Sequence, residues 1–146
     1  MTLNNLLGVS LDAIEPDAAT IQRLLEAARA SLADAQLPNL STEGRFDMAY
    51  KAIMQLANAA LQANGFRTLT SKPGHHQTMI QTLPRTIGLE TATMVLLDQM
   101  RKQRNVIDYD GDLVSEDLAA EAVKQAVVLL ARVRSWLQEH KPQLLG

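Results

Sequence analysis

The sequence predicts an all-α fold: an up-and-down four-helix bundle with one additional N-terminal helix. Three observations carry this. Five segments repeat apolar residues at helical spacing, no segment reads convincingly as a strand, and the core palette is helix-forming. Aromatic residues make up only 3% of a chain that is 47% hydrophobic, so Leu, Ala, Ile, Val and Met must fill the core. Ala, Leu and Met rank high in helix propensity. At 146 residues the chain is most simply a single domain, residues 1–146, long enough to bury a substantial core.

The first helix is expected from Pro16, a residue well suited to a first helical position. Ile21, Leu24, Leu25, Ala28, Leu32 and Ala35 form its stripe, and Leu37-Pro38-Asn39 stops it. Ser41 caps the second, whose apolar face is Phe46, Ala49, Tyr50, Ile53, Leu56, Ala57, Ala60 and Leu61. Asn64-Gly65 closes it. A third, shorter helix is expected from His75 to Leu83, with His76, Met79, Ile80 and Leu83 on one side, and Pro84 ends or kinks it. The fourth spans Glu90 to Ile107, facing inward with Thr93, Leu96, Leu97, Met100 and Ile107, and Gly111 ends the turn behind it. Ser115 caps the fifth, whose stripe runs from Leu118 to Leu137.

Several function classes are excluded. The chain has no cysteine, so disulfides, thiolate metal sites and cysteine nucleophiles are out. No His-x-x-x-His or Glu-x-x-His pair supports a helix-borne metal, and no glycine-rich phosphate loop or Gly-x-Ser-x-Gly elbow is present. No metal or cofactor is therefore expected. Met1-Thr2-Leu3-Asn4-Asn5 does not read as a signal peptide, and no apolar run approaches a membrane span. A cytoplasmic location without a membrane partner is the expectation. The net charge of −2 divides into −4 over residues 1–43, +3 over residues 44–111 and −1 over residues 112–146. The positive segment is compatible with nucleic-acid contact.

That segment holds the most informative run, Met100 to Gly111. On a helical wheel Arg104 lies between Leu97 and Met100, within the apolar stripe, with Asp108 one turn further on the same face. An arginine aimed inward must be paired. Two readings satisfy that need: an Arg104–Asp108 ion pair at the bundle edge, or a guanidinium in a cleft or dimer seam poised for phosphate. Arg101, Lys102 and Arg104, with Lys72 and Arg85, form either a basic patch or a merely solvated helix face.

Arg104-Asn105-x-x-x-Tyr109 resembles the Arg-Asn-x-x-x-His signature of HEPN domains, small helical bundles common in bacterial defence and toxin systems. Phe46-Asp47-Met48-Ala49-Tyr50-Lys51-Ala52 is similar to the family's early helix. Lys72-Pro73-Gly74-His75-His76 is similar to its loop and short helix, which often carry a histidine. Asp108-Tyr109-Asp110-Gly111 looks like the ending in a bacterial subgroup described as uncharacterised or DNA-binding HEPN-like proteins. The resemblance covers residues 41–140, leaving residues 1–40 as the additional N-terminal helix.

In catalytic HEPN members, the arginine and histidine of two subunits meet across a dimer cleft and cut RNA without a metal. Arg104 and Asn105 match that motif, but Tyr109 stands where the histidine would be. A phenol of pKa near 10 is a poor general base, and losing proton transfer slows such a reaction by about 10²–10⁴-fold. The resemblance therefore implies a homodimer that binds RNA, DNA or a nucleotide through Arg101, Arg104, Asn105, Asp108, Tyr109 and His75 without efficient catalysis. The alternative is a metal-independent ribonuclease of a defence or toxin–antitoxin system, with Arg104, Tyr109 and His76 as catalytic candidates. A further alternative is a structural protein-interaction module.

Of the three histidines, His76 is expected at a core edge, His75 at a solvent-facing helix start, and His140 as a helix-end charge. Some family toxins are silenced by nucleotide transfer to a motif tyrosine, which makes a nucleotidyltransferase-type antitoxin a candidate partner. That tyrosine lies two residues beyond the histidine, where this chain has Gly111.

Overall fold

A computed structural model describes residues 2–70, 74–111 and 113–146, with Asp108 and Asp110 described by their backbone alone. The first helix, α1 (Ala18–Ala35), starts later than Pro16 suggested. Asp17 is its N-cap, and the carboxylate accepts from the Thr20 amide at 3.1 Å. An aspartate oxygen satisfies an otherwise orphaned amide, which proline cannot do, so Asp17 wins the cap and Pro16 falls outside it.

Helix α2 (Thr42–Ala63) is the centre of the molecule. Ser41 caps it as expected, accepting from the Gly44 amide at 3.0 Å. Gly65 follows its C-terminal cap, Asn64, with φ of +89°, a conformation that favours glycine. Twelve of its 22 residues are buried, and on the wheel they cover roughly 220° of its circumference. Six of the twelve are alanines, which lets neighbouring helices approach on several sides. Arg45 donates to the carbonyls of Ala35 at 2.8 Å and Leu37 at 2.6 Å, satisfying acceptors left over at the end of α1.

The remaining helices are α3 (His75–Gln81), α4 (Leu83–Thr86), α5 (Thr91–Asp110) and α6 (Glu116–His140). The third expected helix is thus divided at Thr82, because Pro84 has no amide to continue the ladder. The Thr82 hydroxyl donates to the carbonyls of Thr78 (2.9 Å) and Met79 (3.1 Å) there. Gly111 ends α5 with φ of +71°, and Ser115 caps α6 by accepting from the Leu118 amide at 3.1 Å.

The fold is an all-α bundle, as expected. Helices α1 and α6 pack along α2, and α3 bridges α2 to α5. The α1 helix is a full wall of the core rather than an appendage. Gln22 on it also anchors the C-terminal 3-10 turn, Pro142–Leu145, by donating to the Leu144 carbonyl at 3.3 Å. Arg132 of α6 holds Glu90 at the start of α5 with contacts of 2.8 and 2.9 Å.

One expectation is corrected. The chain does contain strands: β1 (Leu11–Ala13) pairs antiparallel with β2 (Phe66–Thr68), in the register Leu11 with Thr68, Asp12 with Arg67 and Ala13 with Phe66. Three residues are too few for alternation to show in a sequence. The pairing depends on a partner 55 residues away, with Arg67 meeting Asp12 at 3.1 Å and Leu11 and Thr68 buried beneath.

Because Leu56 is fully buried in the central helix, Leu56→Ala is expected to destabilise the bundle by about 2–5 kcal/mol, read as a lower denaturant midpoint. Ser115→Ala, which removes only a cap, is expected to lower stability by about 1 kcal/mol.

Candidate functional site

The arc of α2 that its neighbours leave uncovered carries Asp47, Lys51, Gln55 and Asn58, residues that lie within about 80° of one another on the wheel. Around this stripe runs an open groove of about 420 Å³. Leu24 of α1 closes one side, His76 and Met79 of α3 another, and Arg104 of α5 reaches in from the third. Met48 and Met54 line it from α2 itself, so thioethers and a leucine make much of its wall. Its size falls within the range of small-molecule sites.

Tyr50 organises the charged end. It is 4% exposed, and its ring lies 5.4 Å from the Arg104 guanidinium carbon, in cation–π range. Its hydroxyl is 3.3 Å from His76 Nδ1. Arg104 Nε lies 3.4 Å from Asp47 Oδ1, across from α5 to α2. Behind this set, Arg101 donates to the buried carboxylate of Asp98 at 2.8 Å, and Lys102 lies 3.8 Å from its other oxygen.

The electrostatics follow from that packing. Burial pushes the Tyr50 phenol up to about 12, against the opposing pull of Arg101 and Arg104. Loss of solvent on its packed side lowers the His76 pKa, and the neighbouring His75, Arg104 and Arg101 add to the effect. At neutral pH the phenol is therefore protonated and the imidazole uncharged. With the ring proton on Nε2, the Tyr50 hydroxyl donates to Nδ1.

The structure brings Arg104 and His76 together in this groove and leaves other expected residues outside it. Tyr109 is 94% exposed at the end of α5, and Asn105 is exposed too; neither lines the groove. Arg101 sits behind it, held by Asp98. His75, expected to face solvent, is half-buried with its ring edge-on to His76 at 4.8 Å, whereas His76 is the more exposed of the two. His140 ends α6 as expected and rests on Trp136.

The basic patch is not one surface: Arg85 borders cavities beside the N-terminal segment, while Arg101 and Lys102 share Asp98. Lys72 and the Asp108 side chain, and with it the Arg104–Asp108 pair, lie outside the described residues. Among the described residues no group of three or more His, Cys, Asp or Glu is placed to hold a metal, and no helix is long and apolar enough to cross a membrane.

Sequence reasoning missed Asp47 and Tyr50 as site residues. The available signal was weak: two polar-tipped residues one turn apart on the central helix, with Lys51, Gln55 and Asn58 continuing the polar stripe.

The His76 shift predicts a pH effect with a definite sign. Its folded pKa lies below the ordinary 6.5, so between the two values the unfolded chain binds more protons, and stability rises with pH. The contribution is present above pH 6.5 and is lost as pH falls through the folded value. Denaturation midpoints of the wild type should drop over that window relative to those of His76→Gln.

Comparison with protein-family models, curated proteins and solved structures finds no match to this chain.

Proposed function

We propose that this chain is a HEPN-like protein that binds nucleic acid or a nucleotide at the groove around Arg104, as a homodimer and without efficient catalysis. The observation that carries the reading is that Arg104, Lys51 and His76 line one groove together with three methionines, Met48, Met54 and Met79. Two permanent cations give a phosphate a place to dock, and the guanidinium offers it a bidentate fork. Asp47 already engages that guanidinium, so a phosphate enters by competing with a carboxylate. Affinity is then set by the exchange of one anion for another.

A second reading is favoured by one observation: His76 lies in the same groove as Arg104. It is metal-independent RNA cleavage, with His76 in the role that Tyr109 cannot fill. That role requires the other tautomer, in which Nδ1–H donates to the Tyr50 oxygen and Nε2 carries the lone pair.

Opposite effects are expected from the two partners of the groove's ion pair. Arg104→Gln should weaken binding of a single-stranded RNA or a nucleotide by roughly ten- to hundredfold at fixed salt, the size of a lost charge-assisted hydrogen bond. Asp47→Asn should tighten it. Fluorescence anisotropy would measure both, and circular dichroism would confirm that the bundle stays folded. Wild-type protein that binds neither ligand would sink the proposal. RNA cut in the presence of chelator, and left intact by His76→Gln, would instead establish the second reading.

A further inference from the structure

The groove is chemically divided along α2. Asp47, Tyr50 and Lys51 line it first, with Arg104 against Asp47, and Met54, Gln55 and Asn58 follow further along the helix. From Lys51 to Asn58 the helix rises about 10 Å, nearly two turns. The two amides at the neutral end are oriented by their own neighbours. The Ser31 hydroxyl donates to Gln55 Oε1 at 3.1 Å, and Gln62 Nε2 donates to Asn58 Oδ1 at 3.1 Å. Each carbonyl oxygen already accepts a bond within the fold, which turns the NH₂ groups into the donors that Gln55 and Asn58 offer a ligand. The neutral end presents hydrogen-bond donors on an apolar, thioether-rich wall.

We propose that the groove is a slot for one nucleotide lying along α2, with its phosphate at Lys51 and Arg104 and its base at Gln55 and Asn58. This rests on the phosphate-binding reading above and adds the specificity residues. The length of the slot matches the span from phosphate to base in an extended nucleoside monophosphate. Nucleobases carry ring-nitrogen or carbonyl acceptors for the two amides. Their flat faces suit Met54, Met79 and Leu24, since methionine side chains adapt to planar surfaces and make favourable sulfur–aromatic contacts. An inorganic anion fills only the charged end, and a base within a duplex cannot enter, because its edge is paired and its faces are stacked.

The test is calorimetric titration of the full chain with adenosine monophosphate, adenosine and inorganic phosphate, each against wild type and the double variant Gln55→Met with Asn58→Leu. Wild type should hold the nucleotide at least tenfold more tightly than phosphate. The double variant should lose roughly tenfold in nucleotide affinity, the worth of two hydrogen bonds, and keep its phosphate affinity within about twofold. Lys51→Gln should do the reverse, weakening nucleotide and phosphate alike while leaving adenosine unchanged. Should the double variant unfold, Asn58→Ser alone is read the same way.

Nucleotide binding no tighter than phosphate would overturn the slot while leaving the anion site standing. So would a nucleotide advantage that survives the loss of both amides. If phosphate and nucleotide both fail to bind, the anion site falls and the slot with it.

Discussion

The burial of α2 is the constraint on which the rest of this structure depends. A helix covered over roughly two-thirds of its circumference has a single arc on which polar residues can stand. On that arc, Asp47, Lys51, Gln55 and Asn58 line the groove. The same alanines that let α1 and α6 close on α2 therefore determine where the groove lies. Neighbouring helices meet α2 on its apolar faces and stop at the edge of the polar stripe. The groove is what remains between them, so its position follows from packing and its chemistry from this stripe together with His76 of α3 and Arg104 of α5.

Arg104 connects that groove to the far side of the bundle. An inward arginine needs an anion and a surface to lie on, and both come from α2: Asp47 at 3.4 Å and the ring of Tyr50 at 5.4 Å. Tyr50 in turn packs on Phe46 in the core while its hydroxyl finds His76, in line with the rule that buried phenols take a hydrogen-bond partner. The chain of contacts runs from α5 through α2 to α3. At its α3 end, burial lowers the His76 pKa, and the neighbouring His75, Arg104 and Arg101 add to the effect.

What the sequence disclosed was local. Helix starts at Ser41 and Ser115, the stop at Gly65, the break before Pro84 and the inward faces of all the long helices depend on residues within a few turns of each other. Spacing reports such features directly. The strand pair escaped because its partners are three residues each and 55 apart. The contact of Arg104 with Asp47 escaped for the same reason. Asp47 stands 57 positions before Arg104 and comes near it only in the folded bundle. His76 was legible as a residue on an apolar stripe, but its company was not: the wheel shows which way a side chain points and cannot show what arrives opposite it.

The arrangement also bears on whether Arg104 is structural or functional. Asp47 and the Tyr50 ring both contact Arg104 within the fold, so the guanidinium is held in place before any ligand arrives. Being held in this way does not argue against binding. A guanidinium fixed on an aromatic face has already given up much of its rotamer freedom, and less entropy is lost when an anion docks. The carboxylate beside it acts in the opposite direction, as a competitor that weakens every anion by a similar factor. On the proposed reading, selectivity comes from the stretch of the groove beyond Lys51, where shape and the amides of Gln55 and Asn58 would distinguish one phosphorylated molecule from another.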